Sequence, residues 1–582
     1  MKKLREKLHR KATAPRNAHT PNVSPIFDSE LEDIIKDILQ QCVTKTATIS
    51  VRRQIKREAA EHQLRTIVAS DDSTRQHTTA DGNYVYHIAS LSKILVAIAV
   101  FVAVEKSPSE DGFETLLERF RHAQHEPLTR LFNEYKDPKI HALPGNPTIY
   151  DLLVHRKGVP SSNHRLLTPT GCPIMAQSDV WDELISRVRR NTSEGHTGSN
   201  WAGYSNVNYA LVAMVAEAMW DGSIQSFIEE MLLLPLGMHA TSIGVSMDER
   251  IDNRGRVVDA SGMPHDIERP QYQSDGAEAA AFGIYSTAND LDTFFKFIID
   301  TFHWNEPLRG FDLTALSKAL KMTYEPGESL LFTPFGLYTT LGSSVVGSLS
   351  PNRALFPEDD FSNYTVTSSR DDDDIPVYYM AGSAIASGCA TALHVGQEYS
   401  FAIVVLTDTS GPVDAADHIL RLVLQRMAQW MGKLNSTSTF KQPINVKDMV
   451  TRNKNQALRK WQELEQKHVR DLRNAHTNSK TIAGVYKGVD FNQRLVIIKG
   501  DDGKTYITVD GPLRLQSSAQ LEMYWIDDSN VKFNIPLHLS VDWLDGADWS
   551  NTTFEVEDKD QVVQALVRTT AYGKDRYLRV PP

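Results

Sequence analysis

The sequence predicts an α+β chain that ends in a small all-β module. Between Ala89 and about Met431, helical and strand-like segments alternate irregularly, with no fixed repeat of the solenoid or propeller kind. After Thr481 the texture changes to short alternating runs, RLVIIKG, KTYITVDG, LEMYWIDD and VKFNIPLHLS, punctuated by turn sequences such as Asp502-Gly503. At 582 residues the chain also exceeds one typical domain.

Taken in order, residues 1–28 mix basic residues, Pro, Asn and Thr without periodicity and read as a disordered lead-in. An amphipathic helical pattern then runs from Ser29 to Val51, built on ELEDIIKDILQQCV, with Asp28 or Ser29 as N-cap. A strand pair is expected within residues 46–88. The main body spans 29–432 and closes with a buried strand, Ser400 to Thr409, and an amphipathic helix, Asp414 to Met431. Residues 433–480 read as a breaker-rich linker and one connecting helix, in which Leu458, Trp461, Leu464, Val469 and Leu472 recur at helical spacing. The module at 481–582 reads as barrel-like.

Composition narrows the function. A net charge of -11 and a 23% charged share describe a mildly acidic globular chain, which excludes a nucleic-acid partner on bulk charge. The longest apolar run, Ile94 to Val104, is about half the ~20 residues a bilayer span needs, so it reads as a buried helix and no membrane partner is expected. Cys42, Cys172 and Cys389 are far apart and odd in number, which suits a reducing compartment. The basic start MKKLREKLHRK has no apolar stretch behind it, so the expected location is cytoplasmic. Scattered histidines and the absence of a phosphate-binding glycine loop give an expectation of no metal and no cofactor. The run Asp371 to Asp374 reads as a solvated loop, since four adjacent acids cannot all face one ion.

The chemistry centres on HIASLSKILVAIAVFVAVEK, where Ser90 and Lys93 stand three apart at the head of an apolar helix and so share a face. A serine hydroxyl is a poor nucleophile at neutral pH and needs a neighbouring base, or a cation that keeps a base deprotonated. The spacing alone also fits an N-capped helix with a solvated lysine, and Ser438 to Lys441 repeats it in the linker. Further along, Tyr204-Ser205-Asn206 precedes a long apolar helical stretch, and of 19 tyrosines only Tyr204 has an asparagine two residues on. A phenol beside an ammonium has its phenolate form favoured and can take a serine proton. Taken alone, this motif fits a capping turn with a core tyrosine equally well.

These motifs, in this order, resemble the serine β-lactamase and penicillin-binding-protein superfamily, in its class C and esterase-like branch. TIYDLLVHRKGVP (Thr148 to Pro160) is similar to the branch's lead into its helical region, and EEMLLLPLGMHATSIG (Glu229 to Gly244) to its Pro-Leu-Gly-Met-x-x-Thr signature. AAAFGIYSTANDLDTFFKFI (Ala279 to Ile298) is similar to its Gly-x-x-Ser-Thr-x-x-Asp-Leu segment. The resemblance implies an antiparallel sheet flanked by helices, with a helical region inserted after the Ser-x-x-Lys helix. It also implies Ser90 as acylated nucleophile, Lys93 as its partner, Tyr204 as general base and later acid, and Asn206 as a positioning residue.

The branch's third motif, Lys or His followed by any residue and Gly, finds its counterpart in YYMAGSAIASGCATAL. Placing Gly382 on the motif glycine puts Met380 where the cation stands in relatives, with a loop to Gly388 about a residue longer than usual. Ser383 then becomes the backbone oxyanion-hole donor beside the Ser90 amide. His196-Thr197-Gly198 looks like the missing motif but precedes Tyr204, out of family order.

The expectation is a serine hydrolase or acyltransferase forming an acyl-Ser90 intermediate on a small-molecule ester, thioester or amide. The resemblance points to esterases and transacylases of natural-product metabolism, and the barrel-like module to appendages of some family peptidases. A D-amino-acid-specific peptidase or amidase, and a non-catalytic binding protein on the same fold, remain as alternatives. The oligomeric state is left open.

Overall fold

The computed structural model describes residues 25–55, 60–69, 82–105, 147–155, 163–180, 204–244, 254–259, 261–304, 338–340, 349–355, 377–396, 398–434, 445–475, 478–489, 491–511, 513, 520–535, 552–570 and 573–581. The expectations for residues 1–24, His196 to Gly198, Asp371 to Asp374 and Ser438 to Lys441 lie outside them.

The first helix, α1 (Ser29–Gln41), is capped by Asp28, whose carboxylate accepts from the Leu31 amide at 2.8 Å. It ends ten residues short of the expected Val51. From Thr46 the β-branched series TATISV takes over as β1 (Thr46–Ile55), because such side chains pack better on a pleated surface than on a helix. Then follow β2 (Glu61–Val68), β3 (Tyr86–His87) and a 3-10 turn, Ala89–Leu91, leading into α2 (Ser92–Glu105). Residues Ile94 to Ala103 of α2 are all buried, as a helix apolar on every side requires.

A helical region comes next: α3 (Ile149–Leu153), α4 (Asn163–Leu166), α5 (Asn206–Trp220) and α6 (Ile224–Ile228). Thr148 and Asp151 close a capping box on α3, which explains the TIYD sequence. The chain returns through β4 (Ser242–Ile243), β5 (Arg254–Val258), β6 (Pro264–Glu268), α7 (Ala279–Phe282), β7 (Ile284–Ser286) and α8 (Ala288–Trp304). Two of the family-like segments meet here. Asp290 accepts from the Ala240 amide at 2.9 Å and the Thr241 hydroxyl at 2.8 Å, and Thr241 bonds Ser286 at 2.7 Å.

The main sheet adds β8 (Tyr338–Thr340), β9 (Val377–Ala384), β10 (Ser387–Val395) and β11 (Tyr399–Thr407), in the order β2-β1-β11-β10-β9-β8 with every pair antiparallel. Strand alternation sends Tyr378, Met380 and Ala384 into a core shared with α2 and α5. Val377, Tyr379 and Ala381 enter a second core against α1 and α9 (Ala415–Leu434), after the short β12 (Thr409–Ser410). The expected closing strand and helix are thus β11 and α9. This antiparallel sheet flanked by helices, with helices inserted after α2, is the class C β-lactamase-like α+β fold the resemblance implied.

The connecting helix, α10 (Val446–Asn474), buries Val446, Met449, Val450 and Ala457, whereas Leu458 and Val469 of the expected apolar stripe are exposed. Its buried apolar side chains among the described residues thus fall in the first three turns, while Asp471 near its other end pairs with Lys532 of the barrel at 3.0 Å. Strands β13 (Gly484–Gly488), β14 (Arg494–Lys499), β15 (Thr505–Asp510), β16 (Leu521–Asp527), β17 (Asn530–Asn534), β18 (Thr553–Lys559), β19 (Val562–Thr570) and β20 (Gly573–Arg579) close into an eight-stranded barrel. Its apolar interior is continuous with Ile174, Val257, Ile385 and Ala386, so the tip of the β9–β10 hairpin packs on the barrel. None of the described helices is long and apolar enough to cross a membrane. The three cysteines form no disulfide.

Candidate active site

Ser90 stands at a strained bend. Ala89 has φ +43°, a left-handed conformation that is costly for a residue with a Cβ, and its surroundings hold it there. Ser92 donates to the Ala89 carbonyl at 2.6 Å and accepts from the Ile284 amide at 3.1 Å, while the Ile88 amide bonds the Ile284 carbonyl at 3.0 Å. The Cys389 thiol donates to the Ile88 carbonyl at 3.0 Å, and burial pushes that thiol well above its ordinary range, so it serves as a donor.

Lys93 is fully buried in the first turn of α2. Burial and the positive end of a helix both disfavour an ammonium, so the charge has to be met by acceptors. It donates to Asn206 Oδ1 at 2.7 Å, to the Ala281 carbonyl at 2.7 Å and to Ser90 Oγ at 3.3 Å. Its Nζ also lies 4.8 Å from the Tyr204 ring centroid and 5.5 Å from that of Tyr209. Tyr204 Oη lies 2.7 Å from Ser90 Oγ. The structure therefore brings Ser90, Lys93, Tyr204 and Asn206 into one hydrogen-bonded cluster.

Three contributors carried no role in the sequence reading. Asn163 of α4 accepts from Asn206 Nδ2 at 2.9 Å, which turns the Asn206 oxygen toward Lys93. His155, at φ +54°, accepts from the Ser205 amide through Nδ1 at 3.2 Å, and its ring lies 4.8 Å from that of Tyr204. Burial, aided by the nearby Lys93 charge, holds His155 well below the ordinary imidazole range, so it stays neutral and can accept. The Ala281 carbonyl at the end of α7 is the third. The first two sit in segments already quoted or adjacent, but backbone and amide acceptors leave no sequence signature.

Gly382 lies on β9 against the nucleophile: a Cβ there would fall 2.6 Å from the Ser90 amide nitrogen and 3.0 Å from Ala89 Cβ. Glycine is what lets the strand approach this closely. Met380, two residues earlier on the same face, is fully buried in the apolar core and brings no charge to the cluster. Ser383 is half-buried, opposite Gly388 of β10. Ile385 and Ala386, with Ala386 at φ +59°, make a tight two-residue turn that leaves Gly388 inside β10, paired with Ser383. Among the described residues, no group of three or more His, Cys, Asp or Glu could hold a metal ion.

This fold and cluster define a serine hydrolase fold of the β-lactamase and penicillin-binding-protein superfamily. The β-lactamase family model matches residues 36–427, more than half the chain, and the chain belongs to that family. It is 26% identical over 211 residues to penicillin-binding protein 4* of Bacillus subtilis (strain 168), across 33% of this chain and 39% of that protein. The chain thus spans about two fifths of the length of that curated relative. Among solved structures, an octameric penicillin-binding protein homologue from Pyrococcus abyssi aligns with TM-score 0.48 and 15% identity, over 94% of this chain and 99% of its own. A D-amino acid amidase from Ochrobactrum anthropi SV3 aligns at 0.43 and 18%, covering 69% and 99%. A β-lactamase from Sulfitobacter sp. EE-36 aligns at 0.45 and 16%, covering 70% and 99%.

Proposed function

We propose that the chain is a serine hydrolase or acyltransferase that carries its acyl group on Ser90, with a neutral small-molecule ester, thioester or amide as donor. The observation that carries this reading is that Ser90 Oγ lies within hydrogen-bond distance of both Tyr204 Oη and Lys93 Nζ. Asn206 Oδ1 and the Ala281 carbonyl can only accept, so Lys93 donates to both, and its third contact is with Ser90 Oγ at 3.3 Å. In this reading Lys93 carries the charge and Tyr204, the other group within reach of Ser90 Oγ, removes the proton.

Tyr204 takes the Ser90 proton as Oγ bonds to the donor carbonyl carbon. The negative charge formed on the carbonyl oxygen is assigned to the backbone N–H groups of Ser90 and Ser383, a pairing supported by the close approach of neighbouring Gly382 to the Ser90 amide. Tyr204 returns the proton to the leaving group as its bond to the acyl carbon breaks. Water, an alcohol or an amine then repeats the sequence on the acyl-Ser90 ester. The buried Met380 supplies no cation for a substrate carboxylate, which supports neutral acyl donors of the natural-product kind.

Turnover of p-nitrophenyl esters by the full chain, with and without alcohol or amine acceptors, tests this reading. Turnover that Ser90→Ala abolishes is the expected result, with the acceptor dependence separating hydrolysis from transfer. Turnover confined to D-amino-acid amides would support the amidase alternative, and no Ser90-dependent turnover of any donor a non-catalytic role.

A further inference from the structure

We infer that the C-terminal barrel positions Asn206, and through it Lys93, by pinning α4 with an ion pair between Arg165 and Asp575. Helix α4 is only four residues long, too short to hold its own geometry, so contacts at its side chains fix where it sits. One contact is Asn163 on Asn206 at 2.9 Å, with both residues buried. A second is Leu166, fully buried in the main core, and a third is Arg165, whose guanidinium reaches Asp575 of β20 at 2.5 Å with side-chain exposures of 2% and 5%.

The Arg165 guanidinium also lies 4.5 Å from the ring centroid of Phe491, which is buried in the barrel core and packs edge-on against Tyr577. A buried charge pair with its guanidinium held against an aromatic ring is costly to displace, so it constrains where α4 sits. The chain leaving α4 is clamped as well. The Ile174 amide bonds the Leu166 carbonyl at 2.9 Å, Ile174 itself belongs to the barrel core, and Asn492 donates to Asp179 at 2.9 Å. Asp575 is thus joined to Ser90 through Arg165, α4, Asn163, Asn206 and Lys93. Arg165 and Asp575 are positioning residues in this relay.

The inference rests on the acyl-Ser90 reading for its kinetic consequence, but not for its structural one. Asp575→Asn in the full chain should slow Ser90 acylation at saturating ester by about ten- to a hundredfold with KM little changed, since misplacement by an ångström costs on that order. Amide hydrogen exchange of residues 163–168 should quicken in the same variant. Arg165→Lys keeps both charges and loses the planar fork, so it should show a smaller loss in the same direction and serves if Asp575→Asn fails to fold. Asp471→Asn, which frees Lys532 at a different barrel contact of 3.0 Å, is the control and should change neither readout.

Unchanged exchange and unchanged acylation in a folded Asp575→Asn or Arg165→Lys chain would overturn the inference, as would an equal loss in the control. If the wild-type chain is not acylated at all, the proposed function fails, and the exchange comparison alone decides whether the barrel holds α4.

Discussion

Asn206 and Asn163 share a buried hydrogen bond of 2.9 Å that fixes which end of the Asn206 amide faces Lys93. With its nitrogen committed to Asn163, Asn206 presents oxygen to the ammonium at 2.7 Å. Lys93 is thus a donor to Asn206 and to the Ala281 carbonyl, and the proposed mechanism assigns the Ser90 proton to Tyr204.

Tyr204→Phe removes the atom 2.7 Å from Ser90 Oγ and leaves the ring packing with His155 in place. Acyl turnover is expected to fall by about 10²- to 10⁴-fold with the melting temperature little changed, the usual range for losing a general base. Steady-state kinetics beside a thermal melt measure both. Retention of more than a tenth of the activity would remove Tyr204 from the mechanism.

Gly382→Ala forces a methyl against the Ser90 amide, which would come within 2.6 Å. Strand β9 or the Ala89 bend must then shift, opening the pair of backbone donors. A loss of about 10²- to 10³-fold in kcat is expected, comparable to deleting one oxyanion donor. An active Gly382→Ala enzyme would place the oxyanion site elsewhere.

Met380, fully buried in the core, brings no charge to the site, and the proposed preference for neutral donors follows from that. A charge-assisted hydrogen bond to a substrate carboxylate contributes about 1.5–3 kcal/mol, roughly ten- to a hundredfold or more in binding, and this site lacks one from that position. Neutral p-nitrophenyl esters should accordingly exceed nitrocefin, whose β-lactam carries a carboxylate, by at least about tenfold in kcat/KM. Equal turnover would show that another residue supplies the cation.

Glu278 gives a pH-dependent stability. Its carboxyl is fully buried, and that burial outweighs the nearby backbone N–H groups and pushes its pKa up to about 8. The unfolded chain ionises this group from about pH 4.5, whereas the folded chain keeps it protonated, so stability is intact below about 4.5 and is lost as pH rises towards 8. At pH 7 the loss is on the order of 3 kcal/mol. Glu278→Gln should raise the melting temperature at pH 8 and change it little at pH 4.5. Parallel melting curves for the two chains across that range would refute the effect.

How legible all this was depended on whether a feature is local. Ser90, Lys93, Tyr204 and Asn206 could be picked out because each pair lies within one short motif, and the order of the other segments gave the motifs a context. The capping box at Thr148 and Asp151 and the link from Asp290 to Thr241 show why those segments hold together. Asn163, His155 and the Ala281 carbonyl were not legible, since any asparagine, histidine or carbonyl can accept a hydrogen bond and only the fold selects one. The pairing of Arg165 with Asp575, separated by 410 residues, lies further still from any local pattern. Hydrophobic spacing continues across Cys42 and so overextends the first helix, whereas the β-branched run of β1 ends it at Gln41.

The most direct test of the central claim is the intact mass of the full chain after incubation with a fluorophosphonate and with a panel of neutral acyl donors. The account predicts a single adduct of the expected mass on the wild-type chain, absent from Ser90→Ala and formed much more slowly by Tyr204→Phe. An adduct that survives Ser90→Ala, or no adduct with any donor on a folded wild-type chain, would contradict it.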